Sequence, residues 1–380
     1  MLRYLIGGES HGPALTGIIE GFPANVGIDI NEINRDLARR QHGHGRGGRM
    51  KIETDKVRFL SGLRGGKTLG SPITFLIENK DYENWSDYMD PCQVDRETKK
   101  VTAPRPGHAD LAGSIKYNFD DIRNVLERSS ARETATRVAI GGIIRQFLKN
   151  FGITAACHVI HIGGISSNAR VPSADDLKKA ELSPVRVADS AAEKQIIELI
   201  DRTREDGDSL GGVFEIVITG VPVGLGSYVQ WDRKLDARLA YALQSIQGIK
   251  GVAFGRGFDC ACQKGSEVQD EIYYSQEKGY YRRTNNAGGI EGGMSNGQTI
   301  VIRCAMKPIP TLYKPLQTVD IRTKQPCTAT VERSDICAVP AAAVVGEAVA
   351  LTVIGEELLR KLGGDSMEEV RLRWKQWQSR

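Results

Sequence analysis

The heptapeptide Gly21-Phe-Pro-Ala-Asn-Val-Gly27 and its counterpart Gly220-Val-Pro-Val-Gly-Leu-Gly226 share the form GxPxx(V/L)G. Each closes a strand-like segment, 14–22 and 213–219, and leads through an extended piece into a helical pattern containing Asp, Ala, Arg and Leu. A supersecondary unit used twice predicts two related halves packed together, a repeated α/β (α+β) architecture; the alternative is the coincidence of two common turn sequences. Around these turns, 31–41 carries Ile33 and Leu37 at helical spacing with Asn31 as N-cap. The clearest helix is 130–151, where Val138, Ile140, Ile143, Ile144, Phe147, Leu148 and Phe151 populate one broad apolar face. Ser130-Ala-Arg-Glu133 has the spacing of a capping box at its start. Further helices are expected at 191–204, 232–247 and 339–361, and short strands within 50–80, including the run 72–77. The polar segment 82–106, with Trp85 and Tyr88, reads as a surface excursion, and the charged residues 365–380 as a peripheral tail.

Length and composition bound the rest. At about 150 residues per domain, 380 residues suggest two or three domains, which the repeated turn reduces to one unit, 1–380, with halves of roughly 1–205 and 206–380. Hydrophobic residues at 40% and charged residues at 26% exclude a disordered chain, a collagen-like fibre and a small disulfide scaffold. Fifty-one Lys+Arg against 47 Asp+Glu leave a net charge of +4, too slight to imply nucleic-acid or membrane binding unless it is clustered. The most apolar stretch, 338–355, is broken by Pro340, Gly346 and Glu347, and the N-terminus lacks a sustained apolar core, so no membrane span or signal peptide is expected. Seven cysteines, an odd number without CxxC spacing, read as reduced thiols of a cytoplasmic protein and not as a metal or redox motif.

The positive charge is clustered. Arg39, Arg40, Arg46 and Arg49 lie within eleven positions, interleaved with four glycines and with His42 and His44. Planar guanidinium forks suit phosphate and carboxylate oxygens, and glycines let backbone amides approach the same anion. The segment also contains a formal GxGxxG, but a charged helix precedes it where a dinucleotide site needs a strand. Two glycine-flanked turns present histidines: Gly8-Glu-Ser-His-Gly12 offers Ser10 and His11, and Pro104-Arg-Pro-Gly-His-Ala-Asp110 offers His108. Imidazole exchanges protons near neutral pH, although a histidine in a turn is more often structural. Glu127-Arg-Ser-Ser-Ala-Arg-Glu133 opens the strongest helix, whose N-terminal amides form an anion site reinforced by Arg128 and Arg132. Lys307-Pro-Ile-Pro-Thr-Leu-Tyr-Lys-Pro315 is stiff and extended, and Arg333-Ser-Asp335 leads into the apolar C-terminal helix as an N-cap or as a group that orients a reactant. His158 and His161 read as packing residues.

Together GESHG (8–12), RRQxGxGRG (39–47), RPGHAD (105–110), ERSSARET (127–134), GGM (292–294), KPIPTLYKP (307–315) and RSDICAVPA (333–341) closely resemble the chorismate synthase family. The resemblance implies a helical layer between two antiparallel sheets, built from two similar halves, in a homotetramer. It implies anti 1,4-elimination of phosphate from 5-enolpyruvylshikimate 3-phosphate to give chorismate, with reduced FMN required without net redox change. It implies His11 and His108 as acids, Ser10, Ser130 and Asp335 as positioning and relay groups, and Arg40, Arg46, Arg49 and Arg132 as grips for substrate anions. It further implies FMN contacts from Arg128, Ser129, Ser130, Gln247, Gly248, Gly292, Lys307, Pro308, Ile309, Pro310, Thr311 and Arg333, and NADP contacts from Arg40 and Arg46 in members that reduce their own flavin. An external flavin reductase is the favoured electron source, with NADPH as the other candidate. Gln247-Gly248 departs from a common Asn-Ala, and IGGESHG from TAGESHG. The competing readings are an RNA-binding protein using 42–49 as an RGG-like arm, against which stands only 6% aromatic residues, and a nicotinamide-dependent oxidoreductase.

Overall fold

The computed structural model describes residues 2–48, 52–92, 99–167 and 173–379; Arg49 lies outside the described residues. Two antiparallel sheets dominate. The first comprises β1 (Arg3–Gly7), β2 (Ala14–Glu20), β3 (Val57–Ser61) and β4 (Ile73–Glu78), in the spatial order β1-β2-β4-β3. The second comprises β5 (Thr154–Ile162), β6 (Ile165–Ser166), β7 (Gly212–Thr219), β8 (Ile249–Phe254) and β9 (Ile300–Met306), in the order β6-β5-β7-β9-β8. Period-two patterning drives the first: Leu15, Gly17 and Ile19 of β2 and Ile73, Phe75 and Ile77 of β4 face the core while their neighbours face out.

The helices are α1 (Ile30–Gln41), α2 (Asp110–Tyr117), α3 (Arg123–Ser129), α4 (Thr134–Lys149), α5 (Ala174–Leu182), α6 (Ser190–Glu205), α7 (Leu235–Gln244), α8 (Val339–Leu362) and α9 (Met367–Gln378). Helix α4 packs on the first sheet, α8 on the second, and α4 and α8 pack on each other, with α1 and α7 beside them. Both repeated heptapeptides are turns of one kind. Gly21 and Gly220 each have φ +76°, and Asn25 and Gly224, four positions on, also occupy the left-handed region. Each turn follows an inner strand of its sheet (β2 or β7); a helix comes next (α1 or α7), then two further strands of the same sheet, and later a long helix (α4 or α8). The strand order is matched as well, β1-β2-β4-β3 against β5-β7-β9-β8.

Helix α8 has the length and composition of a membrane span, yet 94% of its most apolar window is buried inside the protein. Its Gly346 and Gly355, with Gly141 of α4, allow close approach: a Cβ on Gly141 would lie 2.6 Å from the Ala348 Cα, and one on Gly355 would lie 2.4 Å from Ile144. Charge is also buried here. Fully buried Glu347 of α8 pairs with Arg39 of α1 at 2.9 Å and with Arg145 of α4, and Asp36 bridges the same two arginines at 2.9 and 3.0 Å. Burial pushes the Glu347 carboxyl up, but Arg145 and Arg39 outweigh it and hold the group well below the usual carboxylate range.

Local details differ from the sequence reading. The α1 N-cap is Asp29, which accepts the Asn31 amide at 2.8 Å, because its carboxylate reaches two residues ahead. Ser130 and Glu133 do not form a capping box. Ser130 accepts the Arg132 amide and caps a short 3₁₀ turn, while Glu133 turns to Arg137 and Gln247. The charged C-terminal segment is no free tail: α9 buries Met367 and Val370, and Trp374 meets Phe151 with centroids 5.1 Å apart. Overpacking a tight contact costs about 1–3 kcal/mol, against roughly 1 kcal/mol of helix propensity gained from Gly to Ala. Gly141→Ala is therefore expected to lower the urea midpoint of unfolding, and a midpoint at or above wild type would contradict this account of the helix contact.

Candidate active site

Because the contacts Gly141–Ala348 and Ile144–Gly355 advance together along α4 and α8, the two helices start at the same end of the layer. Their N-termini open on one cavity of about 740 Å³, which the turns holding His11 and His108 and the segment 307–311 complete. Helix N-terminal amides favour anions there.

His11 is held on its edge and its face. The Glu127 carboxylate of α3 accepts the His11 backbone amide at 2.7 Å and lies 2.9 Å from Nδ1, while Trp85 stacks on the imidazole with centroids 4.2 Å apart. Ser10 Oγ donates to Ser130 Oγ at 3.1 Å, tying this turn to the start of α4. Burial raises the Glu127 carboxyl, but hydrogen bonds from His11 and the charges of His11 and Arg123 leave it below its ordinary value. His108 is built similarly. Its Nδ1 lies 2.6 Å from Asp110 Oδ1, and Arg105 donates to Asp110 at 2.8 Å and to Thr311 Oγ1 at 2.8 Å. Burial pushes the Asp110 carboxyl up, but His108 and Arg105 hold it well below the usual carboxylate range.

The arginines stand on acids, Asp55 buried and Asp335 half-buried. Arg40 contacts Asp55 Oδ2 at 3.3 Å and donates to Thr134 and the Ala131 carbonyl; Arg132 donates to the other Asp55 oxygen at 2.6 Å and to Asn79. Burial, with Arg132 and Arg46 nearby and Asp55 opposing, lowers Arg40 to about 10, so it remains charged at neutral pH. Asp335 accepts the Gly47 amide at 2.6 Å and pairs with Arg46 at 2.9 Å. Segment 42–48 is therefore no solvated arm: Gly45 O accepts the Ile336 amide at 2.8 Å and His44 meets Asp201 at 2.8 Å.

Of the remaining expected residues, Ser129, Gln247, Gly248, Lys307, Pro308, Ile309, Pro310, Thr311 and Arg333 line the cavity. Lys307 donates to the Gly107 carbonyl, and Arg333 meets Asp81 at 2.6 Å. Arg128 does not line it; its guanidinium donates to the Gly8 and Ile6 carbonyls and braces the His11 turn. Gly292 sits in the turn between Ile290–Glu291 and Met294–Ser295, away from the cavity lining. His158 lies in the second sheet, 3.0 Å from Glu215. Trp85 stands against the reading of 82–106 as a plain surface excursion, since it enters the site. The partners Glu127, Asp110, Arg105 and Asp55 also have no role in the sequence reading. Asp110 and Glu127 were visible inside their motifs, whereas nothing local marks Asp55 or Trp85.

Gln247 Oε1 is buried at this wall without a hydrogen-bond partner among the described residues, on a cavity that Lys307, Ser129 and Thr311 also line. An unsatisfied acceptor on a wall that also carries hydroxyls and a cation fits a phosphate-bearing ligand with its own N–H donors.

A cavity with paired arginines, two carboxylate-held imidazoles and two helix N-termini defines an enzyme that handles a small polyanion and exchanges protons with it. The sequence profile of the chorismate synthase family matches residues 2–359. Chorismate synthase of Alkaliphilus metalliredigens is 66% identical over 379 residues, covering 100% of both chains. That of Streptococcus pneumoniae is 55% identical, covering 97% of each. A solved structure described as the crystal structure of chorismate synthase superposes with a TM-score of 0.80 at 42% identity, covering 99% of this chain and 97% of the other. The chain belongs to the chorismate synthase family. Its activity is the final step of the shikimate pathway, catalysed by a phosphate-eliminating lyase, and the family uses reduced FMN.

Asp110 supplies a stability test. A carboxyl held low in the folded state contributes stability that is fully present above its unfolded value of about 3.9 and is lost as pH falls through the folded value. Asp110→Asn is expected to destabilise by about 3–5 kcal/mol near neutral pH, the cost of stranding a buried partner. Urea midpoints should show this difference shrinking below about pH 4; a constant difference in acid would mean that Asp110 is not ionised in the folded protein.

Proposed function

We propose that the chain converts 5-enolpyruvylshikimate 3-phosphate to chorismate and phosphate by anti 1,4-elimination, with reduced FMN and no net redox change. The observation that carries this reading is the gathering of His11, His108, Arg40, Arg46 and Arg132 on one cavity at two helix N-termini. Arg40, Arg46 and Arg132, with Arg49 from outside the described residues, grip the carboxylates and phosphate, and their buried acids keep them aimed without water reorganisation. His11 and His108 serve as acids that protonate the leaving phosphate, and they would keep bound reduced FMN suitably protonated. Ser10, Ser130 and Asp335 position these groups: Ser10 links the His11 turn to Ser130, and Asp335 holds Arg46 and the Gly47 amide.

FMN would be held by Ser129, Ser130, Gln247, Gly248, residues 307–311 and Arg333, all on the cavity wall. When bound, reduced FMN supplies electron density that assists phosphate departure and is regenerated unchanged. The chain's part is to bind, to orient and to hold protons at the two imidazoles. Arg128 acts through the His11 turn, and Gly292 has no place in the site of a single chain.

Reducing equivalents come from an external flavin reductase. The seven cysteines are unpaired, in keeping with a reducing cytoplasm. A homotetramer is in keeping with the outward face of the first sheet, where the cross-strand pair Leu5 and Ile18 is exposed. Two halves of one topology make up the chain, and because β5 belongs to the second sheet we place their join near residue 150, not 205.

An anaerobic assay with the enol-ether phosphate substrate and dithionite-reduced FMN should release equal amounts of chorismate and phosphate; neither product from folded protein would refute the proposal. His11→Ala and His108→Ala should each lower kcat by about 10²–10⁴-fold, the usual worth of a general acid, with FMN affinity near wild type. Arg46→Ala should chiefly raise KM, and an unchanged KM would remove Arg46 from substrate binding.

A further inference from the structure

His11 can act through only one ring nitrogen, and its surroundings decide which. Glu127 is the deciding group: its side chain is 2% exposed and both of its oxygens serve residue 11, Oε2 accepting the backbone amide and Oε1 facing Nδ1. An ionised carboxylate only accepts hydrogen bonds, so a contact of 2.9 Å requires the proton on Nδ1. Arg123 keeps the carboxylate in place. Its Nη1 lies 3.6 Å from Glu127 Oε1, and Glu332 anchors the same guanidinium at 2.9 Å. The Glu127 carbonyl also accepts the Ser10 amide at 3.0 Å, so one residue of α3 fixes the whole turn. Trp85 then removes the remaining freedom by stacking on the ring, with Arg123 5.0 Å from the indole centroid.

We propose that Glu127 is a positioning residue that locks His11 with its proton on Nδ1 and thereby assigns proton exchange with the reacting groups to Nε2. The role is that of the orienting carboxylate in a nucleophile–histidine–carboxylate triad, here serving an acid that faces a leaving group. Asp110 stands in the same relation to His108 across the cavity. The inference rests on the reading of His11 as an acid.

The tests separate the two. In wild-type protein selectively labelled with ¹⁵N-histidine, His11 should show a protonated Nδ1 whether the ring is neutral or cationic. A neutral ring with its proton on Nε2 would overturn the proposal without any variant. Glu127→Gln offers Nδ1 an amide donor in place of an acceptor. It should lower kcat by no more than the about 10²–10⁴-fold that a general acid supplies, leave KM near wild type and move the proton to Nε2. In a His11→Ala background the same substitution should have no further effect on kcat, whereas an equal loss in both backgrounds would show that Glu127 acts only on stability. If His11→Ala alone turned over at the wild-type rate, the acid role of His11 would fail, while the labelled spectrum would still decide what Glu127 does to the ring.

Discussion

Two long helices, α4 and α8, approach closely where Gly141 meets the Ala348 backbone and where Gly355 meets the Ile144 side chain. Everything else is arranged around that contact. Small residues bring the axes close, and the cluster of Glu347, Asp36, Arg39 and Arg145 pins α1, α4 and α8 to one another. An ion cluster buried this deeply contributes less to net stability than its Coulomb attraction suggests, because desolvation offsets the gain. Its stronger effect is on register: a one-turn slip of α8 would leave Glu347 buried without its arginines. Register matters because the residues just before α4 and just before α8 line the cavity together.

The site extends the same logic of paired charge. Three of the arginines that face the cavity rest on acids, with buried Asp55 beneath Arg40 and Arg132 and half-buried Asp335 beside Arg46. Each imidazole rests on a carboxylate, Glu127 or Asp110. On the proposed mechanism, these acids hold the donors in position before substrate arrives, so little reorganisation remains for the moment when phosphate charge develops. They also explain how a chain of net charge +4 builds a strongly cationic cavity: the positive charge is concentrated and locally supported, and the rest of the molecule stays near neutral.

The repeated turn acquires a structural meaning that a motif alone lacks. Left-handed backbone at the first and fifth positions of both heptapeptides shows the same turn used twice, and the matched order of four strands in each sheet is in keeping with one unit built twice. The copies have diverged in function. Segment 42–48, after α1, runs into the site, while the corresponding stretch after α7 supplies Ile246, Gln247 and Gly248 before β8 begins.

Helix periodicity, the alternation in β2, β4 and β7, the two turns and the clustered arginine and histidine motifs were all legible in the order of residues, because each is a local pattern. So was membership of the family, since its motifs run from residue 8 to 341. Strands β5 and β9 were not legible: short apolar runs carry no period that separates strand from buried helix. Nor was the fate of the charged C-terminal segment, whose Trp374 finds Phe151 only after α4 and α8 have packed. Apart from Asp110, two positions from His108, the partners of the site's imidazoles and arginines were decided by tertiary structure. Trp85 reaches His11 across 74 positions and Asp335 reaches Gly47 across 288. Local sequence can mark a histidine as able to exchange a proton, but which of its nitrogens does so depends on a carboxylate that only the fold brings to its edge.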